Sequence, residues 1–191
     1  MTYLGLLIIY KNFILMLATI YLLILTVLIG TLALIIISQI IKKKKLDEEL
    51  IVLQEKSRTN SVNSTEYYSL GSIYLSKKLF DQAILNFRYA LKTWDQNDSM
   101  GLAILYNTIG FTYFESKQYS LAIYYYKEAI TKVPSYTIAI NNLAHAYEKE
   151  QSIEDALLTY KQVLLYDKQN KIANEKMELL RRRIRNRDDR I

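Results

Sequence analysis

An all-α protein is predicted: a single N-terminal transmembrane helix, then a right-handed α-solenoid of three helix-pair repeats, closed by a C-terminal capping helix. Three observations predict it. Residues 13–41, "FILMLATIYLLILTVLIGTLALIIISQII", contain no charge. A pattern of aromatic and small residues returns three times between positions 64 and 170. Beyond it, "KIANEKMELLRRRIRNR" continues as one helix whose apolar residues fall on one side.

The uncharged run of 29 residues exceeds the roughly 20 needed to cross a hydrocarbon core about 30 Å thick. Lys42, Lys43, Lys44 and Lys45 follow it, against a lone Lys11 on the other side. The positive-inside rule then keeps the chain after residue 45 on the cytoplasmic or stromal face. A cleaved signal peptide is the rival reading. Its apolar region would be about half as long and would end in a small-residue cleavage site, which is missing before the lysines. Residues 1–45 are therefore expected to be an anchor with a basic flank. Residues 46–63 are expected to be a linker: a short amphipathic helix, "LDEELIVLQEK", and then a polar tether, "SRTNSVNST".

From Ser64 the repeats begin. Tyr106, Ile109, Gly110, Tyr113, Ala122, Tyr126, Ala129 and Pro134 reproduce the spacing of the tetratricopeptide repeat, with tyrosine standing for its tryptophan and its phenylalanine. The same frame fits Tyr67, Leu70, Gly71, Tyr74, Ala83, Phe87 and Ala90 upstream. Downstream it fits Ile140, Leu143, Ala144, Tyr147, Ala156, Tyr160 and Val163. The chain thus resembles that family over residues 64–97, 103–136 and 137–170. Gly110 to Ala144 is the expected 34 residues, whereas Gly71 to Gly110 is 39. The five extra residues are expected as a loop insertion at "DQNDSM", 95–100.

The spacing has a physical cause. A first helix sets large residues on one face, and a second brings a small alanine to the crossing so that the two backbones approach. Glycine at 71 and 110 costs about 1 kcal/mol of helix propensity against alanine, which is sensible only where a neighbour leaves no room for a β-carbon. Most of the 17 tyrosines are then core. The alternative is a stacking platform for single-stranded nucleic acid, which needs exposed aromatics alternating with basic residues. In 171–191, Ile172, Met177, Leu180 and Ile184 are spaced to cover the last open face as a cap. Arg181, Arg182, Arg183, Arg185 and Arg187 form a basic tail, read as a solvated end or as a contact with anionic membrane.

Cysteine is absent and His145 is the only histidine, which excludes disulfides, thiolate catalysis, cysteine-ligated metal and most histidine sites. No nucleophile with its base, no glycine-rich phosphate loop and no carboxylate pair in a catalytic setting stands out, so a non-enzymatic protein without a cofactor is expected. In the resembled family the groove is lined by first-helix residues facing away from the packed side. Here these are Tyr68, Ser72 and Leu75, then Asn107, Phe111 and Phe114, then Asn141, His145 and Glu148. Members that capture a C-terminal carboxylate use groove cations. The matching positions here include Tyr68, Ser72, Ile138 and Asn142, and they carry none. Asn107 and Asn141 suit the backbone of a bound segment, because an amide both donates and accepts.

One N-terminal span, four lysines behind it, three such repeats and an A+T-rich amino-acid usage together resemble the plastid and cyanobacterial family of membrane-anchored hypothetical chloroplast reading frames associated with photosystem I assembly. The resemblance implies a thylakoid protein whose repeats face the stroma and bind photosystem I subunits or intermediates, with no nucleic-acid partner. A bacterial membrane-anchored adaptor for pilus or envelope biogenesis and a plastid RNA-binding factor are the other readings of the same layout.

Overall fold

A computed structural model describes residues 3–59 and 62–188, with residues 4–9 and 186–188 in backbone only. The tether's residues 60–61, the side chain of Arg187 and the final three residues of the basic tail lie outside the described set. The chain divides into two units, Met1–Val52 and Leu53–Ile191.

The first unit is a single helix, and it continues past the unit's end: α1 runs over Tyr3–Arg58. Among the described residues it is the one helix long and apolar enough to cross a membrane. The hydroxyls of Thr19, Thr26 and Thr31 donate to the carbonyls of Met16, Leu23 and Leu28 at 2.8–2.9 Å. That satisfies them within the helix, as an apolar solvent requires. The four lysines do not break it. Residues 42–56 hold leucine, lysine, glutamate and glutamine, all good helix formers, with Lys44 and Glu48 paired one turn apart. The helix expected as a separate piece at 46–56 is therefore the end of α1.

The second unit begins earlier than the predicted start at Ser64, because Leu53 is buried in it. Gln54 donates from Nε2 to the Tyr74 hydroxyl at 2.8 Å, and Lys56 pairs with Glu66. That ion pair, with the Asn63 backbone N–H behind it, holds the Glu66 carboxyl below its ordinary pKa. Asn63 and Glu66 also form a capping box, each satisfying an N–H of the other at 2.8 and 3.0 Å, which starts the next helix.

Among the described residues seven helices follow: α2 (Ser64–Ser76), α3 (Phe80–Thr93), α4 (Ser99–Glu115), α5 (Tyr119–Lys132), α6 (Thr137–Lys149), α7 (Ile153–Tyr166) and α8 (Lys171–Asp188). α2 with α3, α4 with α5 and α6 with α7 are the three helical pairs, and α8 packs on α7. The turn inside each pair is the same. Lys78, Lys117 and Gln151 take φ of 58°, 63° and 64°. Each helix end is closed by a pair of backbone bonds, for example Gln118 N–H to Tyr113 C=O and Lys117 N–H to Phe114 C=O. This is the Schellman arrangement, built without the usual glycine.

The crossings explain the glycines. A β-carbon on Gly71 would stand 2.6 Å from the Phe87 ring, and one on Gly110 2.8 Å from the Tyr126 ring and 3.2 Å from the Ala122 carbonyl. Ala83, Ala122, Ala144 and Ala156 are completely buried. Tyr126 and Tyr160 are 1% exposed, so the in-register tyrosines at the crossings are core. At the far end Met177 and Leu180 of α8 close the last cluster as the predicted cap requires, but Ala173 takes the place expected for Ile172, which is 58% exposed.

The extra residues between the first two repeats behave differently from the expected loop. Ser99 and Met100 are helical, and α4 has 17 residues against 13 in α2 and in α6. One helical turn and one additional loop residue absorb the insertion. Asp98 fixes the longer start: its Oδ1 accepts from Gly101 N–H at 2.8 Å and its Oδ2 from Trp94 Nε1 at 3.0 Å.

Candidate protein-binding groove

α4 touches α6, and Tyr68 of α2 reaches Thr108 of α4, so the free sides of the first helices form one surface. Each contributes a stripe at intervals of three, four and three residues: Tyr68, Ser72 and Leu75 after Thr65; Asn107, Phe111 and Phe114 after Ile104; Asn141, His145 and Glu148 after Ile138. Residues so spaced share a helix face.

The nine predicted residues divide by what they touch. Tyr68 packs its ring 5.6 Å from Phe87 and 6.1 Å from Trp94, and Leu75 joins the same cluster. The Ser72 hydroxyl donates back to the Tyr68 carbonyl at 2.8 Å. In the first repeat the stripe is thus largely consumed by the protein's own packing. Phe114 and His145 bring their rings to 4.9 Å across the second and third repeats. Burial, with the positive charge of Lys176 nearby, holds His145 below its ordinary pKa. Phe111 stays 41% exposed.

A hydrogen-bond ladder runs between the stripes. The Tyr68 hydroxyl meets Thr108 Oγ1 at 3.3 Å, and Asn142 Nδ2 donates to Asn107 Oδ1 at 2.9 Å. Each rung joins a stripe residue to the residue one step past its equivalent in the next repeat. The third rung would join Asn141 to Lys176 on α8. Instead Lys176 Nζ lies 3.1 and 3.2 Å from the two carboxylate oxygens of Glu148. Glu148 Oε1 also accepts from the Tyr160 hydroxyl at 2.6 Å. Asn141 Oδ1 is left buried with no partner among the described residues.

Three members of this surface were not among the predicted site residues. Ile104 and Ile138 head the second and third stripes and are 38% and 56% exposed. Lys176 was invisible because the cap carries no repeat motif, although one further 34-residue period from Asn142 lands on it. The open part of the groove is apolar, formed by Ile104, Phe111 and Ile138. Its Glu148 is already paired with Lys176.

The tetratricopeptide repeat family matches residues 67–93, 103–131 and 138–170. Among proteins with sequence similarity, ycf37 of Guillardia theta is 48% identical over 156 residues, spanning 82% of this chain and 87% of the relative. The chain belongs to the ycf37 family. A second relative of this ycf37-family protein is the chloroplastic tetratricopeptide repeat domain-containing protein PYG7 of Arabidopsis thaliana. It is 33% identical over 165 residues that cover 86% of this chain and 54% of PYG7. Among solved structures, YrrB, a TPR protein with an unusual peptide-binding site, superposes with a TM-score of 0.63 at 20% identity, over 76% of this chain and 73% of YrrB. That likeness establishes the fold of the repeats.

Proposed function

We propose that this ycf37-family chain is a membrane-anchored, non-enzymatic scaffold that holds a segment of a protein partner in the groove of α4 and α6. In a plastid it would act from the stromal face of the thylakoid in assembling photosystem I. The groove carries the reading: Ile104, Phe111 and Ile138 leave apolar surface open beside half-buried amides, on helices whose packed sides are fully occupied. A surface of that kind binds by shape and desolvation, with amides fixing register. The partner is then an apolar or amphipathic segment and not an acidic terminus. Support for the compartment comes from the chloroplastic relative, and support for the anchor from the uncharged run ahead of four lysines.

The test is affinity purification from solubilised thylakoids with the native chain and with Phe111→Asp/Ile138→Asp, two changes at exposed positions that leave the crossings untouched. The native chain should bring down photosystem I subunits or an intermediate, and the variant should lose them while keeping its helicity. Equal recovery by both chains refutes the groove, and a native chain that brings down no photosystem I protein refutes the assembly role.

A further inference from the structure

On the outside of the solenoid the second helices repeat a feature that helix crossing does not require. Leu85 on α3, Tyr124 on α5 and Leu158 on α7 share one register, separated by 39 and then 34 residues as Gly71, Gly110 and Ala144 are. One side of the array therefore carries all three, and they are 52%, 55% and 62% exposed. One turn further along each helix stands a cation: Arg88, Lys127 and Lys161, each exposed and adjacent to its apolar neighbour at i+3. Among the described residues none of these cations forms an ion pair. Lys127 Nζ lies 5.6 Å from the centroid of the Tyr147 ring. The acidic residues of α3 and α7 at their exposed ends, Asp81, Glu154 and Asp155, sit in the first turns, ahead of the row, where they complement the helix dipole.

The geometry points to this outer face as a docking surface for an anionic lipid bilayer. Three apolar and cationic pairs in one register match an interface in which hydrocarbon lies beneath a plane of phosphates: the large side chain enters the headgroup boundary and the cation one turn away meets a phosphate. A second copy of the chain placed face to face would oppose the two rows of cations, which like charge disfavours. An acidic protein would satisfy the cations and leave the apolar row without a purpose. The inference rests on the proposed anchor, which keeps a bilayer within reach. Docking is then intramolecular and needs little affinity of its own.

Because the chain has no cysteine, one introduced cysteine gives a single label. The full chain carries a nitroxide at Leu158→Cys, or at Phe111→Cys as the groove control. It is reconstituted in vesicles of phosphatidylcholine alone or of phosphatidylcholine with phosphatidylglycerol, and collision with a water-soluble nickel chelate is measured. The label at 158 should be shielded in the anionic vesicles and open in the neutral ones, while the label at 111 stays open in both. Arg88→Gln/Lys127→Gln/Lys161→Gln should shift the docked equilibrium by about a hundredfold and reopen the label. An open label at 158 in anionic vesicles overturns the inference and favours an acidic protein. Equal shielding in both lipids overturns it in favour of self-association. Carbonate extraction of the same samples separates the two readings. Pelleted chain with an open label loses only the docking, extracted chain with a shielded label loses only the anchor, and chain that never joins the vesicles loses both.

Discussion

In the second repeat the ring of Tyr126 lies so near Gly110 that a β-carbon would fall 2.8 Å from it, whereas in the third repeat Ala144 carries that carbon and the equivalent Tyr160 is held through its hydroxyl by Glu148, 2.6 Å away. The inner crossing is closed by shape. The outer one is closed by shape and by a polar network that Lys176 extends to the cap. The reason lies in position along the array. An inner repeat has a neighbour on each side that fixes it by packing. The last repeat meets a single helix, α8, and charge pairing sets the register that packing alone leaves loose. Steric closure is indifferent to salt, while the polar closure responds to it.

The largest effects should come from breaking the inner crossing. Gly110→Leu overpacks it by about 3 kcal/mol or more, and Ala122→Leu acts on the same contact from the other helix. Gly110→Ala should cost about 1–3 kcal/mol, since either the buried ring or the Ala122 carbonyl must give way. The reverse change in the third repeat, Ala144→Gly, should cost only about 1 kcal/mol, the difference in helix propensity. Urea midpoints of the full chain in detergent measure all four. Equal costs for Gly110→Ala and Ala144→Gly would mean that the two crossings are not different.

Next comes the polar closure. Glu148→Ala leaves the Tyr160 hydroxyl and the Lys176 ammonium without their acceptor, a loss of about 1–3 kcal/mol. High salt should weaken the native chain more than this variant, which keeps its other ion pairs but lacks this one. Tyr160 itself should stay protonated throughout, because burial and its bond to Glu148 push its pKa far above the ordinary value. If Glu148→Ala melts with the native chain, the cap is held by Ala173, Met177 and Leu180 alone.

The same contrast marks what was legible in the sequence. Gly71, Gly110 and the alanines at 83, 122 and 156 were readable because one repeat contains both sides of its crossing, at fixed spacing. The groove was less readable because its partners lie in different repeats. Tyr68 reaches Thr108 and Asn107 reaches Asn142, rungs one residue out of register that depend on how far each repeat rotates against the next. So Tyr68 and Glu148, predicted as free groove residues, are spent on internal contacts, and Ile104 was overlooked. Continuation of α1 to Arg58 was hidden for another reason: lysines that flank a membrane span are also good helix formers, so topology and helix end do not coincide. The insertion at 95–100 lengthened α4 because Asp98 could cap a new first turn.

A smaller effect tests a feature common to all three pairs. Lys117 and Gln151 both occupy the left-handed region, which costs a non-glycine residue about 1–2 kcal/mol, partly offset by the greater freedom glycine would have when unfolded. Lys117→Gly and Gln151→Gly should each stabilise the chain by up to about 1 kcal/mol, and by the same amount. Unequal gains would place the difference between the repeats in their turns as well as in their crossings.

The smallest effect should be a pH dependence confined to the outer end of the array. His145 sits against the Phe114 ring, with burial first and then the charge of Lys176 lowering its pKa, Glu148 opposing them and Lys149 adding to the depression. A base whose folded pKa is depressed binds its proton more readily when unfolded, so stability rises with pH across the interval between the two values. The contribution of the neutral ring is complete above the unfolded pKa of about 6.5 and is lost as pH falls below it. Thermal midpoints measured from pH 7.5 down to 5.5 should therefore fall more steeply for the native chain than for His145→Gln, which has nothing to titrate at that position. Gly110→Ala, which alters only the steric crossing, should keep the native slope at a lower midpoint. A native slope in His145→Gln would remove the histidine from the account of acid sensitivity at this end.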